Sequence, residues 1–491
     1  MTANRPANPL LEKRRSGIIL HPTSLPGPGP VGRIGTEALR FLDWLEEAGV
    51  SLWQVLPLNP PQADGSPYAC ISAFAGDTRL IDPGEMARDG WLPASAAGMP
   101  TADALFEARQ ALESAGGSGW EEYLAFVEAQ SDWLEDFALF VVIKQLQGNR
   151  PWWNWPAPLL HRERSRMVQL RAEAAEALDA VRFAQFVFFR QWTRLRREAN
   201  SRDILLLGDM PIFVAHDSAD VWASPENFDL DGEGQPRTVA GVPPDYFSET
   251  GQRWGNPHYR WDSMAETGYA WWMRRVEWAL EELDALRIDH FRGFEAYWSI
   301  PADEPTAIGG EWKQGPGADF FDALLERFGE LPLLAEDLGV ITQEVTALRE
   351  RFGLPGMKIL QFAFDGGEDN PYLPRNHEER GVVYTGTHDN DTTLGWFESL
   401  SPDDRQAVLG RLGEPDGEMP WPLIRAALES PARVAVIPMQ DALALDGRHR
   451  MNKPGTTEGN WGWRFDWRDI PPGRAEQLRQ MNEDADRIPD R

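Results

Sequence analysis

Leu286-Arg287-Ile288-Asp289-His290-Phe291-Arg292-Gly293-Phe294 begins as an apolar run and ends in charge. Strand side chains alternate between faces, so Arg287 and Asp289, two residues apart, point the same way. There the guanidinium can hold the carboxylate ionised and oriented. Two more apolar runs end in acid: Leu333-Leu334-Ala335-Glu336-Asp337 and Val383-Tyr384-Thr385-Gly386-Thr387-His388-Asp389. Side chains gathered from the ends of separate strands are what a (β/α)8 barrel offers at its upper rim.

Working outward, eight short apolar runs have strand character, each followed by polar or glycine-rich residues: 17–20, 52–56, 204–207, 286–289, 333–336, 357–362, 382–385 and 434–438. Amphipathic helical patterns separate several of them. One covers 36–48, with Thr36 as cap and Gly49 as stop; another covers 342–352, capped by Thr342. The expected fold is α/β, a TIM barrel with inserted helical and loop subdomains and no C-terminal β-domain. A single catalytic barrel is expected to span 1–491. The gap of roughly 150 residues between the second and third runs far exceeds an ordinary crossover. Its patterns over 101–115, 120–147 and 159–199 predict a helical insertion over 83–200. A second insertion, 214–260, is rich in Gly, Pro, Asp and aromatics without clear periodicity and reads as a binding loop. The segment from about Pro471 is polar and expected to fray.

Composition narrows the function. The 491 residues carry a net charge of −29, which repels nucleic acid and is indifferent to a neutral ligand. No stretch approaches a membrane span, residues 1–9 lack a signal-peptide core, and Cys70 stands alone. These features point to a cytoplasmic enzyme with no membrane partner, no disulfide framework and no Cys-based zinc site. His258, His377 and His449 lack metal-ligand spacing and read as surface or structural. No phosphate loop or dinucleotide fingerprint is present. Neither metal nor cofactor is expected. Twenty-two Trp fit a groove for sugar rings, whose apolar faces stack on aromatics; many are also expected simply as core.

Breaking an acetal needs a carboxylate on one face of the sugar and a carboxylic acid at the leaving oxygen. Asp289 suits the nucleophile, with Arg287 beside it. Glu336, after the apolar 333–335 run, suits the acid/base, because apolar surroundings raise a carboxyl toward the range useful for proton transfer. Asp389, beside His388, can grip sugar hydroxyls, and Asp209, at the end of Leu206-Leu207-Gly208-Asp209, supports the arginine network. Any one of these alone could be a helix cap or turn residue; it is their joint placement at strand ends that points to a site. The Pro- and Gly-rich stretch 21–30 reads as a stiff rim, Tyr68 in Ser66-Pro67-Tyr68 as a stacking ring, and Lys453-Pro454-Gly455-Thr456 with Asn460 as an acceptor-side loop.

With these residues in view, the chain resembles the 4-alpha-glucanotransferases, or amylomaltases, from about Gly17 to Arg464. The ordered motifs are Ile19-Leu20-His21-Pro22-Thr23-Ser24-Leu25-Pro26, Ser66-Pro67-Tyr68, Gly208-Asp209-Met210-Pro211-Ile212-Phe213-Val214, Arg287-Ile288-Asp289-His290-Phe291-Arg292-Gly293, Ala335-Glu336-Asp337-Leu338-Gly339, Thr387-His388-Asp389-Asn390-Asp391, and Pro454-Gly455-Thr456 before Asn460-Trp461. The resemblance implies Asp289 as nucleophile, Glu336 as acid/base and Asp389 as third carboxylate. It also implies that Arg287, His388, Asp209 and Tyr68 hold the donor sugar, and that Tyr246, Phe247 and Trp254 belong to an aromatic lid. One departure follows Tyr68, where Ala69-Cys70-Ile71 replaces the more usual polar and aromatic residues. The expected reaction moves a segment of alpha-1,4-glucan to the 4-hydroxyl of another glucan or of glucose, without a metal. A retaining double displacement asks for carboxyl groups about 5–5.5 Å apart. An alpha-1,4-glucan hydrolase on the same barrel stays open as the alternative.

Overall fold

The computed structural model describes residues 8–244 and 248–488. Among the described residues twelve strands form two sheets: β1 Arg15–Ile19, β2 Leu52–Gln54, β3 Leu205–Pro211, β4 Thr238–Val242, β5 Gln252–Pro257, β6 Ala285–Asp289, β7 Ala296–Pro301, β8 Glu311–Gln314, β9 Leu333–Ala335, β10 Met357–Ile359, β11 Val382–Tyr384 and β12 Val434–Pro438. The larger sheet is parallel throughout, in the order β10-β11-β12-β1-β2-β3-β6-β9. Each of its strands coincides with one of the eight apolar runs, and their sequential order is that of a (β/α)8 barrel. The seam between β9 and β10 is closed by single bonds instead of a ladder. Ala335 N–H donates to the Pro355 carbonyl at 2.9 Å, and Met357 N–H donates to Asp337 Oδ1 at 2.7 Å.

Alternation sorts the strand residues into two cores. Ile19, Leu52, Leu207, Ala285, Leu334, Met357, Val382, Tyr384, Val434 and Val436 fill the barrel interior. Leu10 and Leu11 join that cluster, while Asn8 Nδ2 donates to the Leu333 carbonyl at 2.9 Å and so closes the N-terminal end. Ile18, Trp53, Leu206, Leu286, Leu333, Ala335, Ala435 and Ile437 face outward into the surrounding helices. Gly17 is obligatory for close approach, since a Cβ there would meet Leu52 Cδ2 at 2.8 Å. By the same parity Asp209, Arg287 and Asp289 point inward.

Between β2 and β3 stand the helices Pro83–Arg88, Thr101–Ala115, Ser118–Ala129, Ser131–Leu146, Ala157–Leu160, Arg164–Glu173 and Ala175–Ser201. The continuous pattern over 120–147 is interrupted at Gln130, and that over 159–199 at residues 161–163 and at Ala174, because apolar periodicity does not register such short breaks. Ala175–Ser201 also returns to the barrel, where Trp192 Nε1 donates to the Glu282 carbonyl at 2.8 Å.

Three sequence expectations are corrected. Residues 214–260 hold β4 and β5, which join β7 and β8 in an antiparallel sheet of order β5-β4-β7-β8. β5 is largely polar, β4 is short and carries Gly241 in place of alternation, and their partner β7 lies beyond β6, so local pattern does not reveal them. Helix Thr36–Glu47 takes Gly35 as its N-cap instead of Thr36, and Thr36 N–H is turned toward Asp82 Oδ2 at 3.4 Å. The cap is supplied from a distant element, which no local pattern shows. The polar C-terminal segment forms helix Arg474–Asp484 instead of fraying, with Ala475, Leu478 and Met481 buried. Among the described residues no strand follows β12, and no helix is long and apolar enough to cross a membrane.

Candidate active site

The parallel register brings the acidic strand ends together. Asp209 lies beside Arg287 and Pro211 beside Asp289, while Ile288 lies beside Ala335, so Asp289 and Glu336 follow on the next step. Arg287 is buried between its partners. Its Nη1 donates to Asp209 Oδ1 at 2.7 Å, Asp209 Oδ2 at 2.8 Å and Asp289 Oδ1 at 2.9 Å, and its Nε lies 3.4 Å from the Met357 sulfur. Tyr68 completes the group, its hydroxyl donating to Asp209 Oδ2 at 2.6 Å. Burial pushes the Asp209 carboxyl up, against the opposing pull of Arg287. Asp289 is the partly open member, with 29% of its side chain exposed against none for Asp209.

Glu336 sits one residue beyond β9, and backbone donors grip both of its oxygens. His290 N–H donates to Oε2 at 2.8 Å and Leu338 N–H to Oε1 at 3.1 Å. His290 reaches it because its backbone is left-handed, with φ of 51°, which turns the N–H from the β6 line across to β9. Burial pushes Glu336 up to about 7; Arg287 opposes the rise and the Asp289 charge adds to it. Buried His290 is itself held down to about 4 and is neutral at pH 7.

Asp389 lies in the turn after β11. Asn452 Nδ2 donates to its Oδ1 at 2.6 Å, His388 Nε2 stands 3.3 Å from its Oδ2, and Arg450 Nη2 donates to its carbonyl at 2.9 Å. The His388 ring is stacked on Tyr68, centroids 5.1 Å apart, and both rings contact Trp461. Asn452, Arg450, Trp461 and the His290 amide were not singled out from sequence. Trp461 and His290 lie inside quoted motifs; Asn452 falls one residue before the quoted 453–456 loop.

The remaining expected residues are distributed around this centre. Trp254, on β5, is 40% exposed and meets the His290 ring edge-on at 5.0 Å. Asn460 is occupied within its own loop, its side chain accepting from Lys453 N–H at 2.9 Å and donating to the Thr456 carbonyl at 2.9 Å. Tyr246 and Phe247 lie outside the described residues. Arg464 gathers the carbonyls of Leu25, Gly27 and Gly29 and so shapes the 21–30 rim. Cys70 points to the Pro67 carbonyl at 2.9 Å, its thiol pushed up by burial. His377 is buried, its ring bonded to Ser430 Oγ and the Tyr372 carbonyl. Among the described residues no group of three or more His, Cys, Asp and Glu is arranged to hold a metal ion.

A barrel whose upper rim gathers Asp289, Glu336 and Asp389 around a buried arginine defines an enzyme of the (β/α)8 class with an acid-rich site suited to glycosyl chemistry. The family model for 4-alpha-glucanotransferases matches residues 20–469. The chain is 50% identical to a 4-alpha-glucanotransferase of Thermus thermophilus, over 97% of this chain and 99% of that protein. It is 48% identical to one from Synechocystis, over 93% and 94% respectively. The amylomaltase of Streptococcus agalactiae, solved in complex with acarbose, superposes with a TM-score of 0.93 at 34% identity, covering 97% of this chain and all of that one. This chain belongs to the 4-alpha-glucanotransferase family.

Proposed function

We infer that the enzyme transfers a segment of an alpha-1,4-glucan to the 4-hydroxyl of another glucan or of glucose by a retaining double displacement. Asp289 attacks the anomeric carbon while Glu336 gives its proton to the departing oxygen. The C1–O bond to the leaving chain breaks as the ester bond to Asp289 forms. The acceptor 4-hydroxyl then passes its proton to Glu336 as its oxygen bonds C1, and Asp289 leaves as a carboxylate. Arg287, Tyr68 and His388 hold the donor sugar with Asp209 bracing Arg287 and Tyr68 from behind, and Asp389 grips its hydroxyls as the ring flattens.

The observation that carries this reading is the environment of Glu336. It is buried and fixed by two amides, and pushed up to about 7 in part by the charge of Asp289. Esterification of Asp289 removes that charge, so Glu336 becomes more acidic in the intermediate. One residue thereby serves as acid in the first half and base in the second. Trp254, beside His290, acts with Tyr246 and Phe247 as a lid that favours an acceptor sugar over water.

Residues 83–200 and 214–260 are read as insertions in one catalytic barrel spanning 1–491. A cytoplasmic location is supported by the single cysteine, and the net charge of −29 argues against a nucleic-acid partner. Incubation with maltotriose tests the function: longer oligosaccharides plus glucose are expected, whereas shortening alone would make the enzyme a hydrolase. Proton NMR of the first-formed product should show the alpha anomer; inversion would exclude the covalent intermediate.

A further inference from the structure

Glu336 is held from one side by main chain and from the other by a neighbouring side chain. On the β6 side its N–H donates to the Ile288 carbonyl at 3.1 Å, and its own carbonyl accepts from Phe291 N–H at 3.2 Å. The His290 amide grips its carboxylate from the same side. Toward β10 there is no ladder among the described residues, because β9 and β10 stand at opposite ends of the strand order. Apart from the bond between Ala335 and Pro355, the strap on this side is Asp337. It follows Glu336 directly and sends its carboxylate across the seam to Met357 N–H at 2.7 Å.

The surroundings are built around that carboxylate. Asp337 is 8% exposed, and Arg349, on the helix Gln343–Arg351, is 7% exposed. Arg349 Nε stands 3.3 Å from Asp337 Oδ2, and its Nη1 donates to the Leu354 carbonyl at 3.1 Å. One guanidinium thereby braces both the acid and the turn that leads into β10. Gly356 leaves the room, since a Cβ there would lie 2.4 Å from Asp337 Oδ2. Burying a charge is costly unless it is paired, and Arg349 supplies the pairing. Burial pushes Asp337 up, while Lys358 of β10 and Arg349 oppose the rise and favour the ionised form. Its charge in turn reaches Glu336, where burial is the main cause of the rise to about 7, Arg287 opposes it, and Asp289 and then Asp337 add to it. Glu350 and Glu378 flank Arg349 on its outer side, and the Tyr372 hydroxyl, pushed up by burial, feels both acids.

We propose that Asp337 is a positioning residue for Glu336: its carboxylate, paired with Arg349, serves as the missing rung between β9 and β10 and fixes the main chain from which the acid/base projects. The proposal rests on the reading of Glu336 as acid/base. Asp337 acts through its neighbour and needs no contact with the sugar. With the rung in place, Glu336 is anchored to strands on both sides. Without it, only the β6 side remains, and the carboxyl is free to swing away from the glycosidic oxygen. The charge of the rung adds a second effect, because it helps Glu336 keep the proton that a general acid must carry.

Three variants of the full-length enzyme separate these effects. Asp337→Ala removes rung and charge together, whereas Asp337→Asn keeps an oxygen for Met357 N–H and removes only the charge. Gly356→Ala leaves Asp337 in place and crowds its carboxylate. With maltotriose, Asp337→Ala and Gly356→Ala should each lower kcat by about 10²-fold, the cost of misplacing a catalytic group by about an ångström, with KM little changed. Asp337→Asn should keep most of kcat at acid pH, while the alkaline limb of kcat/KM moves to lower pH. The carbon-13 titration of labelled Glu336 should move the same way, since the lost charge favoured its protonated form. A role confined to stability would lower Tm and leave kcat, measured below the unfolding temperature, and the Glu336 titration unmoved. That result, or a rise in KM without loss of kcat, overturns the proposal. Should Asp337→Ala not fold, the Asp337→Asn titration and the Gly356→Ala turnover decide. If Glu336→Gln keeps full turnover, the acid/base reading itself fails, and the Glu336 titration in Asp337→Asn still reports on the rung alone.

Discussion

His290 donates its backbone N–H to Glu336 Oε2 at 2.8 Å, so the residue that follows Asp289 in the chain holds the carboxylate opposite it. The two acids are thereby mounted on one rigid unit, β6 and β9 with the left-handed turn between them. Any change that moves Asp289 along its strand moves the support of Glu336 as well.

Replacement of either acid tests their assignment. Asp289→Ala and Glu336→Gln are each expected to lower kcat for maltotriose by about 10²–10⁴-fold or more, with an unchanged far-UV circular dichroism spectrum. Near-normal turnover in either variant would remove that residue from the chemistry.

The pH dependence follows from the position of Glu336. A general acid must be protonated, and Glu336 is pushed up to about 7, so kcat/KM should fall as pH rises through about 7. Because the Asp289 charge adds to this rise, Asp289→Asn should move the Glu336 titration to lower pH. Carbon-13 NMR of the labelled side chain reads this directly, and an unmoved titration would contradict the coupling.

Trp254 offers a handle on water exclusion. It is exposed and edge-on to His290, so Trp254→Ala should open the intermediate to water without disturbing Glu336. The ratio of hydrolysis to transfer, followed by chromatography of maltotriose products, should rise several-fold. Tyr246→Ala and Phe247→Ala are expected to act in the same direction, and an unchanged ratio in all three would dismiss the lid.

Glu282 makes a stability prediction away from the site. Its carboxyl is pushed up to about 8 by burial, and its Oε2 has no partner among the described residues. Between the ordinary glutamate range and about 8 the folded chain holds a proton that the unfolded chain has lost, so stability falls as pH rises through this window. Glu282→Gln should therefore raise Tm more at pH 8 than at pH 5. An equal shift at both would mean that Glu282 is not protonated in the fold.

Arg487 ties the C-terminal segment beneath the barrel. It is fully buried, and its guanidinium donates only to carbonyls: Leu428, Arg15, Arg433, Ser430 and Ala432. Leu428 and Ser430 also accept from Arg14 Nη2, and Arg433 from Arg15 N–H, so the loss falls mainly on the Ala432 and Arg15 carbonyls. Arg487→Met should accordingly lower urea stability by about 1–3 kcal/mol, and Arg487→Lys, without the planar fork, should recover little of it.

Much of the barrel is readable from local pattern, because each strand is short, apolar and ends in residues of a different character. Arg287 and Asp289 could be placed on one face from the two-residue period alone. The antiparallel sheet escaped notice, since β4 and β7 pair across more than 50 residues and carry Gly, Ser and Trp in place of a clean alternation. Asn452 and the His290 amide were equally hidden. Nothing in an Asn before a Lys, or in a main-chain N–H, marks it as a partner until its carboxylate is found beside it.

By itself, then, the order of residues determined the strand set, the inward parity of Asp209, Arg287 and Asp289, and the acids Asp209, Asp289, Glu336 and Asp389 that follow four of the runs, all of which depend on chain geometry over a few residues. Only the folded chain decided how those ends meet. The register between β6 and β9, the left-handed backbone at His290 and the closing bond from Met357 to Asp337 depend on contacts between segments far apart in sequence. The burial that pushes Glu336 up to about 7 is likewise a property of the assembled barrel, because it is the packing of other strands that takes the carboxyl away from water.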